Sequence, residues 1–375
     1  RPQKQARCPV CQRVTRSIHS RGKKWRSVLH GRCGPWRVFL RLRPRRFRCK
    51  GCGKVFTERF PGLPRWSRVT DRACQEMLEE LGHRSFRGTA QWAGVSPGVL
   101  RRLLDRWGAE SVDLRAALGG LPELVLGIDE HSFRGQQMMI TVTCVWPKRQ
   151  VLAILPNDQQ KILRAFLQKW PEDLKARVRG VCMDLNRGWW KVVTQELPWA
   201  QVIADRFHVL QDANRRVEEA RRIEQQVTGQ RIARWPLVKN EEDLTERQAE
   251  QLAEIRKKHR NVAHFHWVKE QLRDVYREAH RHAAEKLFDR ILVNAACGPD
   301  AALVQWARTL KRWKEPILAY YSFPVSNGYT EGVHTKIKLL KRLSYGFRNP
   351  HIYVKKMLLA FVPLAWLTLS PHLLT

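Results

Sequence analysis

The sequence predicts an α/β core interrupted by an all-helical insertion and preceded by two small modules, one built on paired cysteines and one helical. Three observations predict it. Apolar β-like runs alternate with helical spacing between residues 121 and 210, the stretch after them is long, charged and without strand patterns, and two cysteine pairs lie in the first 60 residues. At 375 residues the chain suits about two to four compact units. The expected boundaries are 1–62 for the cysteine module, 66–118 for the helical module, 121–210 for the first part of the core, 211–322 for the insertion and 323–375 for the last part of the core.

The first element is set by Cys8-Pro-Val-Cys11 and Cys49-Lys-Gly-Cys52. Two residues between thiolates let both sulfurs of a tight turn face one tetrahedral ion, and two such knuckles complete a closed site. One structural Zn²⁺ in a zinc ribbon held by Cys8, Cys11, Cys49 and Cys52 is therefore expected. Cys33, Cys74, Cys144, Cys182 and Cys297 have no partner at ligand spacing and read as buried small hydrophobes. Trp25, Trp36, Phe39, Phe47 and Phe56 interleave with basic residues. Most of them read as the mini-core of a small metal domain, and the arginines beside them, Arg45, Arg46 and Arg48, as contacts for a polyanion.

Next, Ala73, Met77, Leu78 and Leu81 recur at helical spacing, followed by Phe86, Ala90 and Trp92 and by Val99, Leu100, Leu103 and Leu104. Ala90 lets two helices approach, Gly94 makes the turn, and Ser96 with Pro97 opens the next helix. This is helix-turn-helix chemistry, with Arg101 and Arg102 offered to DNA. After Gly119-Gly120 and Pro122 come the core elements. An apolar strand runs from Leu124 to Ile128, a hairpin pairs Met138–Trp146 with Val151–Leu155, and a helix covers Asp158 to Trp170. A buried strand from Val178 to Met183, a short helix and a strand from Ala200 to Ala204 complete the series. That order is the order of a ribonuclease H-like α/β core. Residues 210–320 read as helices throughout, and four histidines there, His264, His266, His280 and His282, read as solvated. Ser326–Leu343 reads as a basic helix and Val354–Leu369 as an apolar one.

Charge narrows the partner. Lys and Arg number 69 against 35 Asp and Glu, a net +34, and Glu58 is the only acid before Ser67. Such an excess fits nucleic acid. A membrane is not expected, because no segment approaches the roughly 20 apolar residues of a span. No secretory signal opens the chain, and the first residue is Arg, so a start upstream is expected.

Three acids stand out against that charge: Asp129 after one strand, Asp184 after another, and Glu331 on the basic helix. Taken singly, each has an ordinary explanation as a helix cap or an i,i+4 partner. Together, at the ends of neighbouring strands and on a late helix, they would repel unless divalent cations sit between them. Asp205 also ends a strand and rivals Asp184.

The stretches CPVC, CKGCGKVF, GIDEHSFRG, VCMDLNRGWW, ADRFHV and SNGYTEGVHTKIKLLKRLSYGFRN, with the helix-turn-helix run, resemble the DDE transposases of bacterial insertion sequences. The nearest resemblance is to the zinc-finger-bearing ISL-three type, along nearly the whole chain. The resemblance implies Asp129, Asp184 and Glu331 as catalytic acids holding two Mg²⁺ or Mn²⁺ ions. It makes Asp205 and His208 an accessory DxxH signature beside the site. His334 departs from the Asn expected at its position, which leaves that position without an assigned role. Lys338 and Arg342, about two and three turns beyond Glu331, share its face and would hold a DNA strand.

The activity so implied is binding of terminal inverted repeats, metal-dependent strand cleavage, and transfer of a 3′-hydroxyl to target DNA. The partners implied are double-stranded DNA, as element ends and target, and a second copy in a homodimer. The implied setting is the bacterial cytoplasm at the nucleoid. The alternative is a domesticated, catalytically silent transposase acting as a DNA-binding regulator, and loss of any one acid would have favoured it. A structure-selective nuclease with the same core needs no two DNA-reading modules.

Overall fold

The computed structural model describes residues 5–22, 24–65, 67–107, 110–298 and 300–367. In chain order, short strands open the molecule: β1 (Ala6–Arg7), β2 (Val14–Thr15), β3 (Ile18–Arg21), β4 (Arg26–Cys33), β5 (Trp36–Leu42), β6 (Arg45–Arg48) and β7 (Val55–Thr57). Helices α1 (Asp71–His83), α2 (Phe86–Ala93), α3 (Pro97–Trp107) and α4 (Leu114–Leu118) follow. The core runs β8 (Leu124–Arg134), β9 (Gln137–Trp146), β10 (Gln150–Leu155), α5 (Gln160–Gln168), α6 (Glu172–Lys175), β11 (Val178–Met183), α7 (Arg187–Glu196) and β12 (Gln201–Ala204). Then come α8 (Arg206–Thr228), α9 (Trp235–Val238), α10 (Glu246–Lys258), α11 (Arg260–Val275), α12 (Arg281–Ala296), α13 (Ala301–Leu318), α14 (Gly328–Leu343) and α15 (Pro350–Phe361). No helix among the described residues is long and apolar enough to cross a membrane.

Two compact units emerge, Arg1–Glu110 with Lys338–Thr375, and Ser111–Ile337. The expected segment 323–375 is thus divided, and α15 groups with the N-terminal modules. The reason lies in its sequence: Ile352, Tyr353, Met357 and Leu358 are buried, and α15 packs on α1 and α3. The buried Lys356 ammonium donates to Leu81 O at 2.9 Å and Arg84 O at 2.8 Å, satisfying carbonyls at the end of α1. Burial pulls its pKa down to about 8. The helix also begins earlier than its apolar run, because Asn349 caps it and Pro350 fits the first turn; it stops at Phe361, ahead of Pro363.

In the first unit the two cysteine turns are built alike. Gln12 N donates to Cys8 O and Gly53 N to Cys49 O, and the residue after each second cysteine, Gln12 or Gly53, has φ near 60° or 73°. The helical module follows its sequence signals. Thr70 and Ser85 cap α1 and α2 through their side chains, and Gly94 takes the left-handed conformation, φ 68°, that the turn requires. Two expectations fail here. Phe47 is buried and stacks with Phe56, but Trp25, Trp36 and Phe39 are exposed, because in the separate β4–β5 ribbon α1 packs on β4, where it covers Val28 and Leu29, and leaves these three aromatics uncovered. Cys33 and Cys297 are exposed as well, while Cys74, Cys144 and Cys182 are buried.

The second unit contains a five-stranded sheet in the order β10-β9-β8-β11-β12. The first three strands pair antiparallel, and β8-β11 and β11-β12 pair parallel. β10 and most of β9 are buried on both faces, with Thr141 and Thr143 among the buried residues of β9. The helices α8–α13 enclose a core of their own around Phe265, Phe288, Trp306 and Trp313, and β12 joins it through Ala204. His266 is buried in that core, against the expectation of a solvated side chain, because α11 is covered by α8, α10 and α12.

Gly82 lies where α1 meets α15: a Cβ there would come within 2.5 Å of Leu359 O. Gly82→Ala is expected to destabilise the chain by about 1–3 kcal/mol in chemical denaturation, and an unchanged midpoint would contradict this packing.

Candidate active site

The parallel register places acids side by side. Met183 pairs with Ile128 on one side and with Ala204 on the other, so the next residues, Asp129, Asp184 and Asp205, stand at one level across β8, β11 and β12. Neighbouring strands lie about 4.8 Å apart. Asp129 does not end its strand as expected: β8 continues to Arg134, paired with β9, and only the ladder with β11 stops at Ile128.

Each carboxylate is held differently. Asp129 is buried, its Oδ1 accepting from Glu130 N at 2.7 Å. Asp184 Oδ1 lies 2.8 Å from His208 Nε2, and His208 sits in the first turn of α8. Asp205 is fully buried; its Oδ1 accepts from Asn327 N at 3.1 Å, and Oδ2 has no hydrogen-bond donor among the described residues. Ligand atoms of Asp129, Asp184 and His208 all lie within 4.8 Å of one another, as do those of Asp205, His208 and Glu331. The structure thus gathers all five expected residues, with Glu331 reaching the cluster on the Asp205 side and His208 common to both groups.

The start of α14 is tied to the sheet by residues to which sequence reading gave no role: Asn327 and Thr330, which it did not single out, and His334, which it left unassigned. Asn327 is buried and its Nδ2 donates to Ile128 O at 3.0 Å, beside Asp129. Thr330 Oγ1 meets Thr143 Oγ1 at 2.8 Å. His334 Nε2 meets Thr141 Oγ1 at 2.9 Å, and its Nδ1 lies 3.4 Å from Asp129 Oδ2. The signal was present in the spacing: Asn327, Thr330, Glu331 and His334 fall at i, i+3, i+4 and i+7, one helical face, and Thr141 and Thr143 share one face of β9.

Crowded carboxylates in a poorly hydrated site resist ionisation. Burial and then Asp184 push Asp129 up to about 7, and burial also raises Asp205 and Glu130. For His208, burial alone would lower the pKa, but contact with Asp184 and the charges of Asp129 and Asp205 outweigh it and push it up to about 9. Several acids thus face a single cationic ring. Hard oxygen donors in excess of positive charge, one of them without a donor, suit a divalent cation.

At the cysteine module, Cys8 Sγ and Cys52 Sγ are 3.6 Å apart and Cys11 Sγ and Cys49 Sγ 3.4 Å. Tetrahedral Zn–S bonds of about 2.3 Å put sulfurs about 3.8 Å apart, so the four fit such an ion. Backbone N–H groups lower the Cys8 and Cys49 thiols, while Cys11, despite a backbone N–H of its own, is raised by the neighbouring sulfurs, as in four sulfurs that share protons where a metal would replace them. A third grouping, Glu241, His266 and Glu270, suits a metal poorly. Burial, with the charges of Lys269, Arg256 and Arg273, holds His266 down to about 3, and those charges repel a cation as they repel a proton.

Of the expected DNA contacts, Arg46, Arg48, Arg101, Arg102, Lys338 and Arg342 are exposed. Arg45 is not available: its guanidinium lies 2.6 Å from Glu58, with the side chain 13% exposed.

Comparison with known proteins follows the same lines. A family model for ISL3-type DDE transposases, described as "Transposase", matches residues 126–357, and one for the "Helix-turn-helix domain of transposase family ISL3" matches 58–108. The chain is 26% identical over 339 residues to the transposase for insertion sequence element IS1001 of Bordetella parapertussis, covering 87% of this chain and 82% of that one. It is 28% identical over 276 residues to the transposase for insertion sequence element IS1557 of Mycobacterium tuberculosis, covering 66% of this chain and 60% of that one. A solved strand transfer complex of the Drosophila P element transposase aligns with 78% of this chain and 92% of that one, at 10% identity and TM-score 0.43.

A Cβ on Gly127 would come within 2.6 Å of Asn327 Oδ1 and 2.7 Å of Thr143 Oγ1. Gly127→Ala should therefore cost about 1–3 kcal/mol in urea unfolding, and wild-type stability would contradict the clasp. In metal-free protein the His208 ring should titrate near 9 by NMR. Its contribution to stability is then fully present below pH about 6.5 and lost as pH rises through about 9. A titration at or below 6.5 would contradict the contact with Asp184.

Proposed function

We propose, for a chain that belongs to the ISL3 family of transposases, that the cluster around His208 is a metal-dependent phosphoryl-transfer site. It cleaves DNA at the ends of an insertion sequence and joins the freed 3′ end to target DNA. The observation that carries this reading is the convergence of Asp129, Asp184, Asp205 and Glu331 on one histidine, in a chain of net charge +34. A purely DNA-binding surface has no use for a nest of acids, which repels phosphate. The strand order, 3-2-1-4-5 in the numbering of the sheet itself, supports reading the core as ribonuclease H-like.

Asp129, Asp184 and Glu331 are the residues that would hold two Mg²⁺ or Mn²⁺ ions. Bound there, the ions supply the Lewis acidity that activates water or a 3′-hydroxyl and stabilises the leaving oxygen. The chain's own residues prepare that chemistry. Asp205, buried and bonded to Asn327, fixes where α14 begins and so where Glu331 stands. His208 holds a proton at Nε2 against Asp184 while no cation balances the acids. Lys338 and Arg342, exposed further along α14, bind the phosphates of the reacting strand.

The N-terminal modules hold the element's ends. Cys8, Cys11, Cys49 and Cys52 fold around one Zn²⁺, α3 presents Arg101 and Arg102 to a groove, and Arg46 and Arg48 neutralise phosphates. The exposed Trp25, with Arg41 over its ring, and Trp36 and Phe39 add stacking surface on the β4–β5 ribbon. Pairing two ends calls for two copies of the chain, acting in the bacterial cytoplasm where the DNA lies. A catalytically silent regulator is not favoured, because all the acids are present and gathered.

Asp129→Asn, Asp184→Asn and Glu331→Gln should each lower cleavage of element-end DNA by about 10³-fold or more, with DNA binding in gel shifts retained. Undiminished cleavage by any one would remove that residue from the site. Cys49→Ser should lose the one zinc per chain seen by elemental analysis and abolish specific end binding; full zinc content would contradict the four-cysteine site.

A further inference from the structure

We propose that His334 is a positioning residue that holds Asp129 Oδ2 through its Nδ1–H, in a ring orientation set by Thr141 and His131. The inference rests on the reading of Asp129 as a metal ligand and extends it to groups outside the acids.

Four side chains form a line. His131 Nδ1 meets Thr141 Oγ1 at 2.9 Å, Thr141 Oγ1 meets His334 Nε2 at 2.9 Å, and His334 Nδ1 lies 3.4 Å from Asp129 Oδ2. All four residues are buried, and the two imidazole rings lie 4.9 Å apart. The proton inventory then orders the line. Thr141 has one hydroxyl proton and faces two ring nitrogens, so with both rings neutral it donates to one and accepts from the other. With a cation bound, Asp129 is ionised and only accepts, so in that state His334 carries its proton on Nδ1. Its Nε2 therefore accepts from Thr141, and His131 Nδ1 donates into Thr141. Both hydrogen bonds in the series then point toward Asp129, and the series ends on the 3.4 Å contact of His334 Nδ1 with Asp129 Oδ2.

The consequence is a carboxylate fixed at both oxygens. Glu130 N–H holds Oδ1 at 2.7 Å, and the charge-assisted contact of His334 Nδ1 at 3.4 Å orients Oδ2, which leaves the remaining lone pairs to face the neighbouring acids. Partners outside the ligand shell orient ligands in this way, and their loss commonly weakens metal binding about 10–100-fold. Here the usual pairing is inverted: a histidine orients a ligand carboxylate. Because His334 sits one helical turn past Thr330, the same turn of α14 that is pinned to Thr143 sets the ring.

The test measures Mn²⁺ binding to the full chain by the EPR signal of free Mn²⁺, with thermal unfolding without Mn²⁺ as the packing control. An Asn amide places an N–H near the Nδ1 position, whereas a Gln amide places it near Nε2. His334→Asn should bind Mn²⁺ like the wild type, and His334→Gln and His334→Ala should bind about 10–100-fold more weakly. Thr141→Val should weaken binding in the wild type but add nothing to His334→Ala. The proposal is overturned if Asn binds as weakly as Ala, since the ring then only fills space, or if all three bind as the wild type does. Asp129→Asn separates the two levels: lost binding there with normal His334 variants removes only this inference. Normal binding by Asp129→Asn removes the metal-site reading itself.

Discussion

The repulsion between carboxylates on adjoining parallel strands is the constraint from which the rest of the site follows. Once β8, β11 and β12 pair in register, Asp129, Asp184 and Asp205 stand at one level and cannot avoid one another. Burial leaves little water to screen them. The surroundings answer with a protonated ring, His208, and with donors fixed in place: Glu130 N on Asp129 and Asn327 N on Asp205. This compensation is the part that the proposed divalent cations would take over. The clasp of Asn327 also ties two distant parts of the chain, since the residue that meets Asp205 meets Ile128 O as well. Glu331 inherits its position from that clasp.

Much of this was legible in the sequence because its signals are local. The cysteine spacing, the cap and turn residues Thr70, Ser85 and Gly94, and the runs Val178–Met183 and Gln137–Trp146 specify their own conformations. The acids were legible because charge is conspicuous at the end of an apolar run. Asp129 still misled: its strand continues past it, since the antiparallel ladder with β9 outlasts the parallel one with β11.

What local pattern could not give was the identity of partners. Arg45 looked like any other arginine in a basic stretch until Glu58 lay against it. Trp36 and Phe39 looked like core until the β4–β5 ribbon proved to have an uncovered face. Likewise α15 is apolar on its own account, but its packing on α1 is a contact across most of the chain. Polar residues at inward positions, such as His334, Thr141 and Asn327, carried a readable helical or strand period; their targets did not.

The most direct test of the metal-site account is the position of Mn²⁺ by anomalous scattering in crystals of the chain grown with the ion. The account predicts anomalous peaks among the carboxylates of Asp129, Asp184 and Glu331, with His208 displaced from Asp184 or deprotonated. Mn²⁺ bound elsewhere, with those three carboxylates empty and His208 still on Asp184, would contradict it.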